Sequence, residues 1–336
     1  MKRPVFVVGT GRCGSTMLSS MLARSDRVLM LSEFFVSLSP GAFTEGMLDR
    51  DAFWRVLATP REKYSTLIRS GIAPPEILYR RRQVDEQGDI RIPPLLLVTL
   101  PFLSSEPERL YSWLRSQIYG PTERLIGDHY KEFFALLLEK LQKSLVIERS
   151  GGSLRFVADL HRLFPDALFV HLYRDGRDCA RSMSSHASFR LAVLIEQAKS
   201  VLGVDPFHSA ARPNEPLSPE IRAILPESFD ADHVRDAPID IEVFGRMWST
   251  QIVHGIGALR HIGSEQVVSI RYEDLVDRPV ESLGRLADKV GLPHGPWIQQ
   301  AADTVQRPSS RLLDGAAEDR LQAACAIGLR LLGYRL

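Results

Sequence analysis

Val5-Phe6-Val7-Val8-Gly9-Thr10-Gly11-Arg12-Cys13-Gly14-Ser15-Thr16 is an apolar run, a glycine-spaced turn and the opening of a helix. The apolar run reads as a strand buried on both faces. Gly9, Gly11 and Gly14 permit a tight turn that brings backbone N–H groups close to an anion. Beyond them Met17, Leu18, Met21 and Leu22 recur with helical period. A helix starting here offers its unpaired N–H groups and positive dipole end to the same anion. Arg12 adds a guanidinium; Ser15 and Thr16 add hydroxyls. The stretch reads as a phosphate or sulfate cradle, its plainer alternative being a turn that only joins strand to helix.

Four further short apolar runs, at 28–31, 145–147, 168–173 and 267–270, read as buried strands. Helical patterns fall at 133–141, 177–183, 244–262 and 279–290. The alternation predicts an α/β fold: a P-loop-like core with a central parallel sheet of about five strands flanked by helices. Two stretches break it. Residues 38–121 carry Pro74-Pro75, Arg80-Arg81-Arg82 and Pro93-Pro94, and residues 203–240 are rich in proline. Both are expected to be irregular insertions on a single domain spanning 1–336.

Ligands of open parallel sheets bind beyond the carboxyl ends of the strands. The predicted strands are followed in turn by the Arg12 loop, Ser32-Glu33, Glu148-Arg149-Ser150-Gly151, Arg174-Asp175-Gly176-Arg177 and Arg271-Tyr272-Glu273-Asp274. If all five edges meet, the crevice is cationic with one acid, Glu33.

The anion site must be local, because the net charge of the 336 residues is only +1 and gives no global pull toward nucleic acid or an anionic membrane. A hydrophobic share of 44% with 25% charged residues excludes a disordered chain. Cys13, Cys179 and Cys325 are far apart and form no CxxC pair, so neither a disulfide framework nor a zinc site is expected. The apolar run after Met1-Lys2-Arg3 is too short for a signal-peptide core or a membrane span. The expectation is a cytoplasmic protein without integral membrane contact.

Gly9 and Gly14 have the outer spacing of a Walker A motif, but Ser15 stands where that motif has the lysine that reaches the β- and γ-phosphates. The cation, Arg12, sits inside the loop instead. No apolar strand ends in an unencumbered acid to hold Mg²⁺. The loop is therefore read as built for an anion without a metal. A nucleotide-dependent phosphotransferase or kinase remains an alternative, as does a non-catalytic nucleotide-binding protein.

Taken together, these blocks resemble the sulfotransferase superfamily, which uses 3′-phosphoadenosine 5′-phosphosulfate (PAPS). Gly9–Thr16 resembles the family's 5′-phosphosulfate loop, with Gly11, Arg12, Cys13, Gly14, Ser15 and Thr16 as its members. Arg174 and Ser182 have the spacing of its 3′-phosphate motif. The segment Arg271-Tyr272-Glu273-Asp274-Leu275 matches an element whose aromatic lies near adenine, which nominates Tyr272. The closing Leu331-Leu332-Gly333-Tyr334 is also similar. Where tyrosylprotein relatives have a further arginine, this chain has His186. A late basic segment with Arg307, Ser309, Ser310 and Arg311 resembles the loop that closes over the 3′-phosphate. The tyrosylprotein and bacterial-type members are the most similar.

The resemblance implies sulfuryl transfer from PAPS to a hydroxyl of a small-molecule or lipid acceptor. Arg12 would stabilise charge on the leaving phosphate, since a guanidinium does not readily give up a proton. Arg149 would contact the transferred group. Glu33 would be the base, with His129 as rival; its alternative is a helix cap or a salt bridge to a loop arginine. His161 and His171 read as structural. Arg177 is equally readable as a phosphate ligand or as a partner of Asp175. The acceptor pocket is expected from the two insertions.

Overall fold

The computed structural model describes residues 2–79, 90–211, 216–306 and 315–336. Five strands form one parallel sheet: β1 (Val5–Val8), β2 (Val28–Ser32), β3 (Leu145–Arg149), β4 (Leu168–Tyr173) and β5 (Val267–Arg271). Their order is β2-β3-β1-β4-β5. β1 has parallel neighbours on both sides, with Val5 opposite Ile147 of β3 and Leu168 of β4. The chain leaves β1 for β2 on one side and later reaches β4 on the other. That reversal opens the crevice directly above β1, where the glycine turn lies.

Burial follows this order. All four residues of β1 are buried, as a strand covered on both faces requires. β5, at the sheet edge, leaves Ser269 and Arg271 exposed. Under one face Phe6 packs against Phe35, Phe164 and Phe169. Phe34 stacks on Phe133 of the helix Ile126–Lys140. On the other side the long helices Ile241–Leu259 and Gly315–Leu331 lie together, and the absence of a side chain lets them approach: a Cβ at Gly245 would press on Ala324, Leu321 and Cys325.

The helical patterns sit where the sequence predicts them. The helix expected at 279–290 runs Pro279–Val290, and the one expected at 177–183 runs Gly176–Ser184. The described parts of the two proline-bearing stretches hold more helix than expected. Residues 38–121 contain the helices Arg50–Ala58, Glu62–Arg69 and Pro107–Gln117. The first is capped by the Asp49 carboxylate, which accepts from the Ala52 N–H at 2.6 Å. These helices bury narrow faces beside many polar residues, which is why no long apolar stripe announces them. A smaller core, with Leu67 and Ile72 against Leu191, Leu194 and Phe207, ties this stretch to the helix Ala187–Leu202 and the segment after it. Among the described residues no helix is long and apolar enough to cross a membrane.

Candidate active site

Strand register explains the central pair of the site. Ser32 lies opposite Arg149, so the residue after β2, Glu33, emerges beside the end of β3. The Glu33 N–H donates to the Arg149 carbonyl at 2.7 Å. Their side chains then pair: Arg149 Nη1 donates to Glu33 Oε1, and the Gly151 N–H donates to Glu33 Oε2 at 2.9 Å. Arg149 Nη2 also donates to Thr16 Oγ1 at 3.0 Å, linking the pair to the glycine loop. The Arg149 side chain is 3% exposed and that of Glu33 11%. Burial lowers the Arg149 guanidinium to about 10, so it stays charged at neutral pH. The alternative of a salt bridge to a loop arginine is thus present for Glu33, which nonetheless lines the cavity described below.

The loop itself is a run of left-handed backbone. Gly11, Arg12 and Gly14 have φ of 79°, 53° and 91°. A side chain at Gly14 would collide with the ring of Tyr272, and one at Gly11 with Phe189. Arg12 and Glu33 hold positive φ without being glycine, and both face the crevice. Arg12 Nε donates to Ser182 Oγ at 2.9 Å. Arg12 Nη1 also lies 3.6 Å from Glu76 Oε1.

Arg174, at the end of β4, places its guanidinium 4.5 Å above the Tyr272 ring and donates to Asp178 Oδ2 at 3.1 Å. Its Nε is buried with no hydrogen-bond partner among the described residues. Gly11, Arg12, Gly14, Ser15, Thr16, Glu33, Arg149, Arg174 and Ser182 line one cavity of about 560 Å³.

Other candidates lie elsewhere. Cys13 is buried beneath the loop, its thiol pushed up by burial, and does not line the cavity. Tyr272 is buried between Gly14 and Arg174 and does not line it either. Arg271 turns outward to Glu273 and the Tyr334 ring, so the fifth edge does not add its arginine to the crevice. The reason is its place on the outermost strand. Arg177 pairs with Asp175 at 2.6 Å and reaches Gln322 of the helix Gly315–Leu331. His129 is buried, stacked on Phe53, with Nε2 2.6 Å from the Leu48 carbonyl; it lines neither this cavity nor the one beside it. His171 is a buried residue of β4 whose imidazole burial holds down to about 4. Arg307, Ser309, Ser310 and Arg311 lie outside the described residues.

A model of the Sulfotransferase family matches residues 4–212. The chain belongs to the sulfotransferase family. Sulfuryl transfer is therefore its general chemistry, and the family implies a nucleotide sulfate donor. No curated protein matches the sequence. Among solved structures, this sulfotransferase is similar to the sulfotransferase domain from the curacin biosynthetic pathway, at 16% identity and a TM-score of 0.47, covering 100% of this chain and 99% of that one. It is similar to the sulfotransferase domain of the Synechococcus PCC 7002 olefin synthase, at 17% identity and a TM-score of 0.47, with 100% and 97% covered. It is also similar to sulfotransferase STF9 from Mycobacterium avium, at 14% identity and a TM-score of 0.47, with 99% and 78% covered.

In this sulfotransferase Glu76 lines the cavity and Glu148 is fully buried next to the Glu33 turn; neither is nominated from the sequence. Glu76 lies between Arg12 and His186, 3.6 Å from the first and 3.5 Å from the second. Burial alone would raise its carboxyl, but hydrogen bonds and the charges of His186 and Arg12 bring it below the ordinary value. Glu148 is buried on β3, and burial raises it to about 8 despite its bond from Ser150 Oγ at 2.6 Å. It also accepts from the Phe35 N–H at 3.4 Å, next to the Glu33 turn. Its setting inside an apolar strand run, Leu145-Val146-Ile147-Glu148, was the available signal. Glu76, after Pro74-Pro75, offers none that spacing could reveal.

A second cavity of about 340 Å³ abuts the first and shares Glu33, Glu76, Val98, Gly151 and Phe189 with it. Lys63, Tyr64 and Arg155 line only the second.

Proposed function

We propose that the chain transfers a sulfuryl group from PAPS to a hydroxyl of a small-molecule or lipid acceptor, with Glu33 as base and Arg12 stabilising the leaving phosphate. One observation carries the reading: the glycine loop, Arg12, Arg174, Ser182 and the Glu33–Arg149 pair line a single cavity. The residues present fit the nucleotide. The left-handed turn at Gly11, Arg12 and Gly14 and the following helix supply N–H donors for the 5′-phosphosulfate. The unpartnered buried Nε of Arg174, beside Ser182, suits the 3′-phosphate.

When bound, the nucleotide supplies the sulfuryl group, and its departing phosphate keeps the electron pair of the broken S–O bond. Arg12 meets the charge that develops on that phosphate. Ser182 fixes the Arg12 side chain in position for it. Glu33 takes the proton of the acceptor hydroxyl. With one oxygen on Arg149 and the other on the Gly151 N–H, its carboxylate is a weak base, so the proton moves late, once the new S–O bond has formed in large part. Arg149 stays charged and buried through this step, holding Glu33 and Thr16 in place. The second cavity, walled partly by residues of the 38–121 stretch, receives the acceptor next to Glu33.

Thermal unfolding with adenosine 3′,5′-bisphosphate, and separately with ATP and Mg²⁺, tests the reading. A ligand at one hundred times its Kd adds about 2.7 kcal/mol to stability. The bisphosphate is expected to raise Tm by several degrees and ATP with Mg²⁺ to do far less. No shift with the bisphosphate at millimolar concentration overturns the assignment.

A further inference from the structure

Every carboxylate that lines the second cavity has a cation of its own. Glu33 pairs with Arg149, Glu76 with His186 and Arg12, and Glu196 with Lys199 at 2.8 Å. Two cations on the same wall have none. Lys63, half-buried on the helix Glu62–Arg69, makes no ion pair or hydrogen bond among the described residues. Arg155, an exposed residue, makes among the described residues only a cation–π contact, 4.6 Å from the Phe156 ring centroid. Both line the cavity, and burial, then the Arg155 charge, lowers the Lys63 amine to about 8. The acid whose charge reaches Lys63 is Asp205, and it is already engaged by His208 at 3.3 Å and by the Phe207 N–H at 2.9 Å. Two like charges held together without a counter-ion are unfavourable unless something anionic sits between them.

Val36, Leu67, Ile77, Leu97, Phe189 and Met247 give the cavity its apolar surface, beside the hydroxyls of Ser37, Tyr64 and Ser188. Gln251, also on the wall, has a buried side-chain oxygen that no donor among the described residues reaches. The volume of about 340 Å³ lies within the range of small-molecule sites. Glu33 belongs to the wall shared with the nucleotide cavity, whereas Lys63 and Arg155 belong to the wall that is not shared.

We propose that the acceptor is an amphiphilic anion: an apolar molecule that carries a hydroxyl and, elsewhere, a carboxylate or phosphate, with Lys63 and Arg155 binding the anionic group. This rests on the proposed function, since it takes the second cavity as the acceptor site. Charge decides specificity at that wall. A neutral acceptor would displace water from half-buried Lys63 and give it no counter-charge. The anion also sets orientation, because it fixes one end of the molecule while the shared wall receives its hydroxyl.

The test is calorimetric titration of the protein, saturated with adenosine 3′,5′-bisphosphate, with decanoate, decyl phosphate and decanol. Decanoate and decyl phosphate are expected to bind at least tenfold more tightly than decanol, and a preference between the two names the anionic group. Lys63→Gln is expected to erase the advantage over decanol, and Lys63→Arg to restore it. The bisphosphate-induced rise in Tm is measured on each variant and is expected to be unchanged. Decanol binding as tightly as the anions, or an anion advantage that survives both Lys63→Gln and Arg155→Gln, overturns the proposal while leaving the nucleotide assignment intact. An anion advantage lost in Lys63→Gln, in a protein that the bisphosphate does not stabilise, overturns the nucleotide assignment and keeps the anion wall.

Discussion

Arg12 Nε donates a hydrogen bond of 2.9 Å to Ser182 Oγ, joining the loop after β1 to the helix after β4 across 170 residues of sequence. The bond places the one cation inside the glycine loop against the segment proposed to hold the 3′-phosphate. It ties the two ends of the proposed nucleotide site to one side-chain geometry.

Arg12→Ala is expected to lower kcat by roughly 10²–10³-fold, the scale of losing one oriented donor at a developing charge. Unfolding in urea should move little, because Arg12 is part-exposed. Ser182→Ala removes only a neutral hydrogen bond and is expected to cost about 1 kcal/mol of bisphosphate affinity. Equal kcat losses for both variants would count against Arg12 as the group that meets the leaving phosphate.

Arg174→Ala is expected to weaken adenosine 3′,5′-bisphosphate far more than adenosine 5′-phosphosulfate, which lacks the 3′-phosphate. A charge-assisted bidentate pair is worth about 1.5–3 kcal/mol, or roughly ten- to a hundredfold in Kd. Titration of both nucleotides against wild type and variant checks this, and equal losses remove Arg174 from the 3′ site.

Glu33→Gln is expected to retain the bisphosphate and to cut turnover by about 10²–10⁴-fold. Breaking a buried ion pair costs about 3–5 kcal/mol when the surviving charge has no other partner. Arg149 keeps Thr16 and Glu33 keeps the Gly151 N–H, so the loss for either single variant, Glu33→Gln or Arg149→Met, should fall below that range. The double variant should unfold less easily than the sum of the two single losses predicts. Additive losses would mean the two side chains act independently.

Stability should fall as pH rises from about 4.5 to about 8, because of Glu148. Its carboxyl is raised from 4.5 to about 8 by burial, so the folded state keeps a proton there that the unfolded chain has released. The stability it contributes is complete below the unfolded value and is lost as pH climbs through the folded one. The total is on the order of a few kcal/mol. Urea unfolding of wild type and Glu148→Gln across this range checks it: the variant's curve should be flatter there, and parallel curves would rule out Glu148 as the source.

Much of the frame was legible because its signals are local. The runs at 5–8 and 168–173 are buried β1 and β4 with the expected bounds, since a strand covered on both faces must be apolar throughout. Gly11 and Gly14 mark the loop because left-handed backbone in contact with Phe189 and Tyr272 leaves no room for a Cβ. What stayed hidden depends on register and on packing between distant segments. That Glu33 would meet Arg149 follows from Ser32 lying opposite Arg149, a pairing that no single run of sequence encodes. The seat of the Tyr272 ring under Gly14 and Arg174 was also hidden, because it depends on a helix, Tyr272–Asp277, that starts directly after β5 and meets a loop far away in sequence. Lys63 and Glu76 reach the cavities only through the fold of the 38–121 stretch, whose short helices carry no extended apolar period.

The seating of Tyr272 against Gly14 has a consequence for biosynthesis. The loop leaves the ribosome well ahead of the ring that braces its flank, which follows more than 250 residues later. At about 5–20 residues per second that delay is on the order of ten seconds to a minute. Until then the nascent loop lacks its buttress at Gly14, so the proposed nucleotide capture waits for the synthesis of β5, and a ribosome-stalled fragment stopping short of β5 should leave the bisphosphate in solution.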